Sequence, residues 1–251
     1  MTKSLRIFLG VAGVVFCVAL VTSIPARMLD RMGGDAVRLS AASGTLWRGS
    51  ARQVLVGGLQ LGQTSWRTSA LPLLMGRLAV NVDTELPGGF ARGDVTLALG
   101  GRISISDFEA AAPMESLGRT LGFPQASGDA ILTLQKAVLA DGWPNELVGN
   151  LRLGNVPLAV GGVPGDSSIN ILTEFDVPDA NEDGRLPGRI SDQGGPLEID
   201  GTIILSPPGN YAIDAFINTR PQAPPELSQG LMLLGPEGPN GSRQFTMSGS
   251  L

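Results

Sequence analysis

Apolar and polar residues alternate with a period of two through most of the chain after its amino-terminal segment. In "PLEIDGTIILS" the apolar or small residues occupy every second position from Leu197 to Leu205, and "YAIDAFINT" repeats the pattern from Tyr211 to Ile217. Successive side chains of a strand point to opposite faces, so this spacing predicts sheets with one apolar face. The intervening "PPGN" is a turn signal and predicts a hairpin over residues 196–219.

The composition agrees with a chain of many short strands and turns. The 251 residues include 35 Gly and 18 Pro, with 16% charged and 5% aromatic residues, and Gly is about twice as frequent as usual. Helical patterns are confined to residues 113–123 and 225–234. We therefore predict a mostly β protein, an extended and twisted antiparallel sheet body with one or two short helices.

The chain contains no histidine and one cysteine, Cys17. This absence excludes Ser-His-Asp and Cys-His catalysis and most zinc sites. Cys17 lies in an apolar run, where a small buried residue is the ordinary interpretation. Carboxylate pairs such as Glu198 and Asp200 are ordinary on an exposed strand face. We predict no catalytic residue, cofactor or metal site, and no enzyme.

An uncharged apolar segment runs from Ile7 to Ile24, after Lys3 and Arg6. As a helix it would be roughly 27 Å long, close to the thickness of the bilayer core. A cleaved signal peptide is the alternative, but its apolar stretch is usually shorter and ends in small residues. We expect a tail at residues 1–6, a transmembrane anchor at 7–24 and a linker at 25–41. The short tail favours a cytoplasmic amino terminus and a body beyond the inner membrane, in the periplasm.

Charge is distributed unevenly along the chain. Residues 1–52 carry seven basic and two acidic residues, a net charge of +5, whereas the remainder carries 11 basic and 21 acidic residues, a net charge of −10. Because nucleic-acid phosphates need a basic footprint, an acidic body argues against nucleic-acid binding.

A short sequence repeat suggests two similar β units. "ASGTLWRGSARQV" at residues 42–54 and "ASGDAILTLQKAV" at 126–138 share their first three residues and their final valine. Gly44 and Gly128 would each begin a strand that turns back on the next one. We expect units at 42–125 and 126–251, whose apolar faces either close into a sandwich or form an open groove.

Tryptophans and one acidic loop are further candidates for function. Trp47 and Trp66 are interface anchors or, as we favour, core residues, while Trp143 in "DGWPN" is expected to be the more exposed. The loop at Asp179, Asn181 and Asp183 matches the opening of a calcium loop. Its twelfth position is Ile190 instead of a carboxylate, so a solvated acidic loop is the favoured interpretation.

Several blocks, in order, resemble the type II secretion system protein N family over nearly the whole chain. "SGTLWRG" is similar to the family's Ser-Gly-Thr-Leu-Trp-x-Gly block and "LGQTSWRTS" to the strand that follows. "GGPLEIDGTIILSPPGNYAIDAFINTR" and "LSQGLMLLGPEGPNGSRQFTMSGSL" are similar to its carboxyl-terminal part, whereas "LRLGNVPLAVGG" departs from it. The family-motif positions are Gly44, Thr45, Leu46, Trp47, Gly49 and Trp66.

The resemblance implies a bitopic inner-membrane accessory of the machine that exports folded proteins across the outer membrane. Such an accessory is expected to act through non-covalent contacts with other secretion components, in the inner-membrane platform or the outer-membrane pore. A fainter resemblance to anchored β-groove proteins gives the alternative, a protein that binds or moves lipid in the periplasm. Neither group implies an active site.

Overall fold

The structure, a computed structural model, describes residues 37–56, 59–118, 126–160, 163–180, 183–232, 237–238 and 241–250. Strands dominate these ranges and every pairing described is antiparallel, which confirms the mostly β, antiparallel part of the predicted fold class. The chain divides into two compact units, up to Glu85 and from Leu86 onward. Within the described ranges no helix is long and apolar enough to cross a membrane; the predicted anchor from Ile7 to Ile24 lies outside them.

The first unit is built from short strands. They are β1 (Val37–Ser40), β2 (Ser43–Gly44), β3 (Arg48–Ala51), β4 (Gln53–Val56), β5 (Leu59–Leu61), β6 (Thr64–Ser69) and β7 (Arg77–Leu86), with a 3-10 helix at Leu71–Met75. β1, β4 and β5 form one small sheet, and β2, β3, β6 and β7 pair in that order in a second. Ala51, Val54 and Trp66 form the buried cluster of this unit.

The second unit is a meander in which each strand pairs with the next along the chain. Its strands are β8 (Gly89–Ala98), β9 (Ile103–Pro113), β10 (Asp129–Ala140), β11 (Trp143–Val160), β12 (Val163–Val177), β13 (Leu186–Asp192), β14 (Leu197–Ser206), β15 (Asn210–Thr219) and β16 (Arg243–Ser250). The helices are α1 (Met114–Gly118) and α2 (Pro225–Leu231). Both fall where the sequence predicts short helices, and β14 and β15 form the predicted hairpin.

The period-two pattern produces the amphipathic sheet that the sequence predicts. Along β14, Leu197 and Ile199 are buried, whereas Glu198 and Asp200, which follow them in turn, are exposed. In register, Ile199 faces Ile217 on β15 and Gly201 faces Ala215. The buried cluster of this unit follows from that register and from Leu227 of α2, which packs against it. Its buried members are Ile169, Ile190, Leu197, Ile199, Ala215 and Leu227.

Irregular residues preserve this apolar face where the alternation breaks. On β9 the apolar positions change from Ile103 and Ile105 to Phe108, and Asp107 at the change has φ +49°. The register between β8 and β9 shifts at the same point, as it does between β10 and β11 beside Gln135. Where the alternation in the sequence slips by one residue, the following apolar side chains would point to the opposite face. The extra residue of each β-bulge compensates for that slip, so the apolar side chains stay on one face.

Gly128 directly precedes β10, as expected, whereas Gly44 ends β2 instead of beginning a strand. The two glycines nevertheless share a positive φ and a nearby carbonyl oxygen. Gly44 has φ +85° and Gly128 has φ +117°. A Cβ atom on either would lie 2.5 Å from a carbonyl oxygen, that of Arg48 or of Gly154. Both positions therefore require glycine. The units at 42–125 and 126–251 stay a prediction. They are defined by the sequence repeat, whereas the compact units are divided between Glu85 and Leu86.

Candidate functional site

The family-motif residues form a tight hairpin that is attached to β6. Gly44 and Gly49 are paired across β2 and β3, and the Thr45 N–H donates to the Arg48 carbonyl at 2.9 Å. The Trp66 indole N–H donates to the Thr45 carbonyl at 3.2 Å. The Thr68 hydroxyl donates to the Leu46 carbonyl at 2.8 Å. Short loops without these bonds would leave several backbone groups unsatisfied.

Gly49 leaves the space that Trp66 occupies. The two residues lie directly opposite each other on β3 and β6, and a Cβ atom on Gly49 would be 2.4 Å from the indole Cζ2. Trp66 is 9% exposed, as the core interpretation predicts, whereas Trp47 is half-buried. The motif thus acts as a packing unit that orients the first unit's strands.

Trp143 is less exposed than the sequence suggests. It is half-buried at the start of β11, and its indole N–H donates to the Gly184 carbonyl at 2.7 Å. The exposure of Trp143 is predicted from the turn residues beside it, whereas its hydrogen-bond partner, Gly184, lies 41 residues away in the sequence. The hydrogen bond therefore ties the loop at Gly184 to β11.

The second unit presents a broad apolar strand face. Leu97 on β8 and Met247 on β16 belong to this face and are each 43% exposed. Between these strands, α2 packs through Leu227 on the part of the face that forms the buried cluster. Partly buried apolar side chains surround that cluster: Val156, Leu158, Ile171, Ile203, Ile213, Ile217 and Leu231. The face could accept an extended apolar ligand or an apolar partner surface.

The opposite, polar face contains an apolar row near its β8 end. Phe90, Ala111 and Ile131 are direct neighbours across β8, β9 and β10, and Phe90 and Ile131 are 37% and 40% exposed. A shallow cavity of about 310 Å³ lies over them. In the next row Arg92 pairs with Glu109 and lies 5.2 Å from the Phe90 ring centre. The two rows together place exposed apolar area beside the Arg92–Glu109 ion pair.

An ion pair that the sequence analysis missed joins Asp192 to Arg220. Arg220 Nη2 lies 2.7 Å from Asp192 Oδ2, and the Asp192 side chain is 7% exposed. Arg220 also donates to the carbonyls of Gly195 and Leu197. The Gly194 and Ile199 N–H groups each donate to the carboxylate at 2.9 Å. The cluster fixes the Gly194–Gly195 loop, where both glycines have positive φ.

The pKa of Asp192 is set by opposing effects. Burial raises the pKa, but the Ile199 backbone hydrogen bond, the Arg220 side-chain bond, the Gly194 backbone bond and the Arg220 charge together lower it below 3.8. The carboxylate therefore stays ionised. A signal for this site existed in "DQGG", since an Asp two residues before a glycine often caps its N–H, but Arg220 could not be paired with it from sequence.

The acidic loop is described only in part. Asp179 and Asp183 are described and Asn181 is not, and among the described residues no group of three His, Cys, Asp or Glu side chains could hold a metal ion. Calcium binding at Asp179, Asn181 and Asp183 stays a hypothesis.

These features define a class: an antiparallel β-sheet protein whose candidate sites are strand faces and tight hairpins. The model of the family described as type II secretion system (T2SS), protein N, matches residues 35–246. The chain therefore belongs to the type II secretion system protein N family. The match covers most of the described residues of both compact units and every family-motif position that the sequence analysis selected.

Three similar proteins each carry the name type II secretion system protein N. The one from Aeromonas hydrophila is 24% identical, over 91% of this chain and 90% of its own. The one from Klebsiella pneumoniae is 26% identical, over 83% and 81%. The one from Vibrio cholerae serotype O1 is 22% identical, over 95% and 97%. No solved structure matches the chain significantly.

Proposed function

We propose that this protein is a bitopic inner-membrane accessory of the type II secretion system, which supports export of folded proteins across the outer membrane. The observation that carries the proposal is the family match over residues 35–246. The protein acts without covalent chemistry, by contacts with the inner-membrane platform or the outer-membrane pore. Strand faces and edges, rather than a catalytic cleft, are what its described units offer to a partner.

The proposed topology has a cytoplasmic tail at 1–6, an anchor from Ile7 to Ile24, a linker at 25–41 and a periplasmic body. The support is the uncharged apolar run and the basic residues Lys3 and Arg6 before it. The body then comprises β units at 42–125 and 126–251. Because residues 25–36 can extend over roughly 40 Å at most, the first described strand stays near the membrane.

The two compact units carry net charges of opposite sign, which suits them to different partner surfaces. Residues 37–85 include five basic and two acidic residues, a net charge of +3, and residues from Leu86 onward include nine basic and 19 acidic residues, a net charge of −10. Opposite charges select different partner surfaces and raise association rates. The first unit would approach acidic surfaces and the second basic ones.

Deletion of the gene tests the secretion role directly. We expect the enzymes that the system exports to accumulate in the periplasm, and we expect the full-length chain to restore their release. A chain that lacks residues 1–24 and carries a cleavable signal peptide should restore release poorly, because it is not tethered. Normal secretion in the deletion strain would refute the proposal.

Photocrosslinking in cells identifies the contacted component. A crosslinking residue at Ile131 samples the apolar row on the polar face, and one at Thr202 samples a polar, exposed position of the same face. We expect a secretion component to be trapped from Ile131 and much less from Thr202. Equal trapping from both positions would argue against a defined contact at this row.

The second candidate function, an anchored protein that binds lipid, rests on the apolar face of the second unit. Leu97 and Met247 leave part of that face accessible, and acyl chains need such an extended apolar surface. Native mass spectrometry of the full-length chain in detergent would detect bound phospholipid. Its complete absence, after mild extraction, would leave only the secretion-accessory role.

A further inference from the structure

Two arginines lie side by side on the outer face of the first unit. The register of β3 and β6 pairs Arg48 directly with Arg67, and both residues are exposed. Directly opposite residues have Cβ atoms about 4.5–5.5 Å apart, and like charges in such positions destabilise a sheet. Without an anion, this pair therefore costs stability.

Neighbouring carboxylates do not compensate for the pair. The ion pairs described for this chain involve Arg92, Lys136, Arg189, Arg220 and Arg243. Within the described residues, neither Arg48 nor Arg67 has such a partner. Asp83 is on the same face, opposite Ser65 in the adjacent row, yet no described ion pair joins it to Arg67. The two guanidinium groups thus keep their charge available.

A small cavity is lined by both arginines. It has a volume of about 250 Å³ and is lined by Arg48, Gly49, Ser65, Trp66, Arg67 and Asn81. Asn81 is the direct neighbour of Arg67 on β7, so three adjacent strands contribute polar groups. Trp66 is held on the other face by its bond to Thr45, which keeps β3 and β6 fixed beneath the cavity.

We propose that Arg48 and Arg67 form a phosphate-binding site, with Ser65 and Asn81 at its margin. A guanidinium group presents a planar fork of donors that matches phosphate oxygens. A phosphate group has enough oxygens to bind both forks; inorganic phosphate carries up to two negative charges, and the phosphodiester of a lipid headgroup carries one. The net charge of +3 on residues 37–85, five basic and two acidic residues, favours the same ligand.

Two sources supply this chemistry: the phosphate of a lipid headgroup and free inorganic phosphate. The headgroup source rests on the proposed membrane anchor, since residues 25–36 would keep Arg48 within reach of the bilayer surface. The site itself does not depend on the secretion role, so its failure and the failure of that role are distinguishable.

Chemical labelling of arginine tests the site in the full-length chain. Phenylglyoxal reacts with free guanidinium groups, and mass spectrometry reports the reaction rate at each arginine. The chain is labelled in phosphate-free detergent, with added inorganic phosphate, with added acetate at equal ionic strength, and in nanodiscs of phosphatidylglycerol or phosphatidylcholine. Arg77, exposed at the start of β7, is the internal control.

We expect phosphate or the nanodiscs to slow labelling of Arg48 and Arg67 at least three-fold and to leave Arg77 unchanged. Protection in nanodiscs alone identifies the lipid headgroup, and protection by inorganic phosphate identifies the free ion as a ligand. The Arg48→Gln substitution should weaken phosphate binding about ten-fold and remove protection of Arg67. Arg77→Gln should do neither.

Three results would overturn the proposal. They are unchanged labelling under every condition, equal protection of Arg77, and protection by acetate as strong as by phosphate. Because the labelling is read in the unsubstituted chain, the result stands even where a substituted chain fails to fold.

Discussion

Arg220 Nη2 lies 2.7 Å from Asp192 Oδ2, and the same guanidinium group donates to the carbonyls of Gly195 and Leu197. One side chain thus joins the end of β13, the following loop and the start of β14. The loop contains two glycines with positive φ, whose flexibility in the unfolded chain opposes folding. The ion pair offsets this cost because most of it is shielded from water.

Replacing Asp192 by Asn should destabilise the second unit by about 2 kcal/mol. The substitution removes the charge that Arg220 and two backbone N–H groups contact, and hydrogen bonds to charged groups contribute about that much. The matched control is Asp200→Asn, because the Arg189–Asp200 pair is 70% and 69% exposed and such pairs contribute little. Chemical denaturation of both variants gives the comparison; equal losses would contradict the assignment.

The same carboxylate predicts an acid-dependent loss of stability. The pKa of Asp192 is lower in the folded chain than its ordinary value of 3.8. The contribution of Asp192 is therefore complete above that value and is lost as the pH falls through the lower, folded-state pKa. Denaturation curves of the wild type and Asp192→Asn should converge at acidic pH. A constant difference at every pH would show that the charge is not responsible.

Gly49→Ala should destabilise the first unit by about 1–3 kcal/mol, because the new methyl group overlaps the Trp66 ring and forces both strands to shift. Gly100→Ala is the matched control, since a Cβ atom there meets nothing within 4 Å. Hydrogen exchange of the β3 and β6 amides reports the local effect. A change no larger than that of Gly100→Ala would refute the packing role of the motif.

Arg67→Gln should raise the melting temperature in phosphate-free buffer, because it removes the repulsion between two directly opposed charges. Added phosphate should stabilise the wild type and have a smaller effect on this variant. Thermal unfolding followed by circular dichroism measures both effects. A lower melting temperature in phosphate-free buffer would show that Arg67 has a structural role instead.

Leu97→Asp should reduce the phospholipid that co-purifies with the chain, if the apolar face holds lipid. Ile131→Asp provides a close control: the two side chains are 43% and 40% exposed, but Ile131 lies on the polar face. Native mass spectrometry of both variants, with equal folding verified by circular dichroism, makes the comparison. Equal lipid content would count against the apolar face as the lipid site.

The sequence by itself determined the strand content, the hairpin of β14 and β15 and the places of α1 and α2. These features follow from local rules, because side-chain alternation and turn residues act over a few positions. It also identified Gly44, Gly49 and Trp66 as a block, through the resemblance to a family, but without showing how they pack.

Only the tertiary structure decided which distant residues meet. Arg48 and Arg67, Trp143 and Gly184, and Asp192 and Arg220 are each brought together by strand register or by loops, and no local pattern encodes register across many residues. The bulges beside Asp107 and Gln135 show the same limit, since one inserted residue reverses the faces of a strand. Alternation therefore specifies that a face exists, and long-range pairing specifies which residues share it.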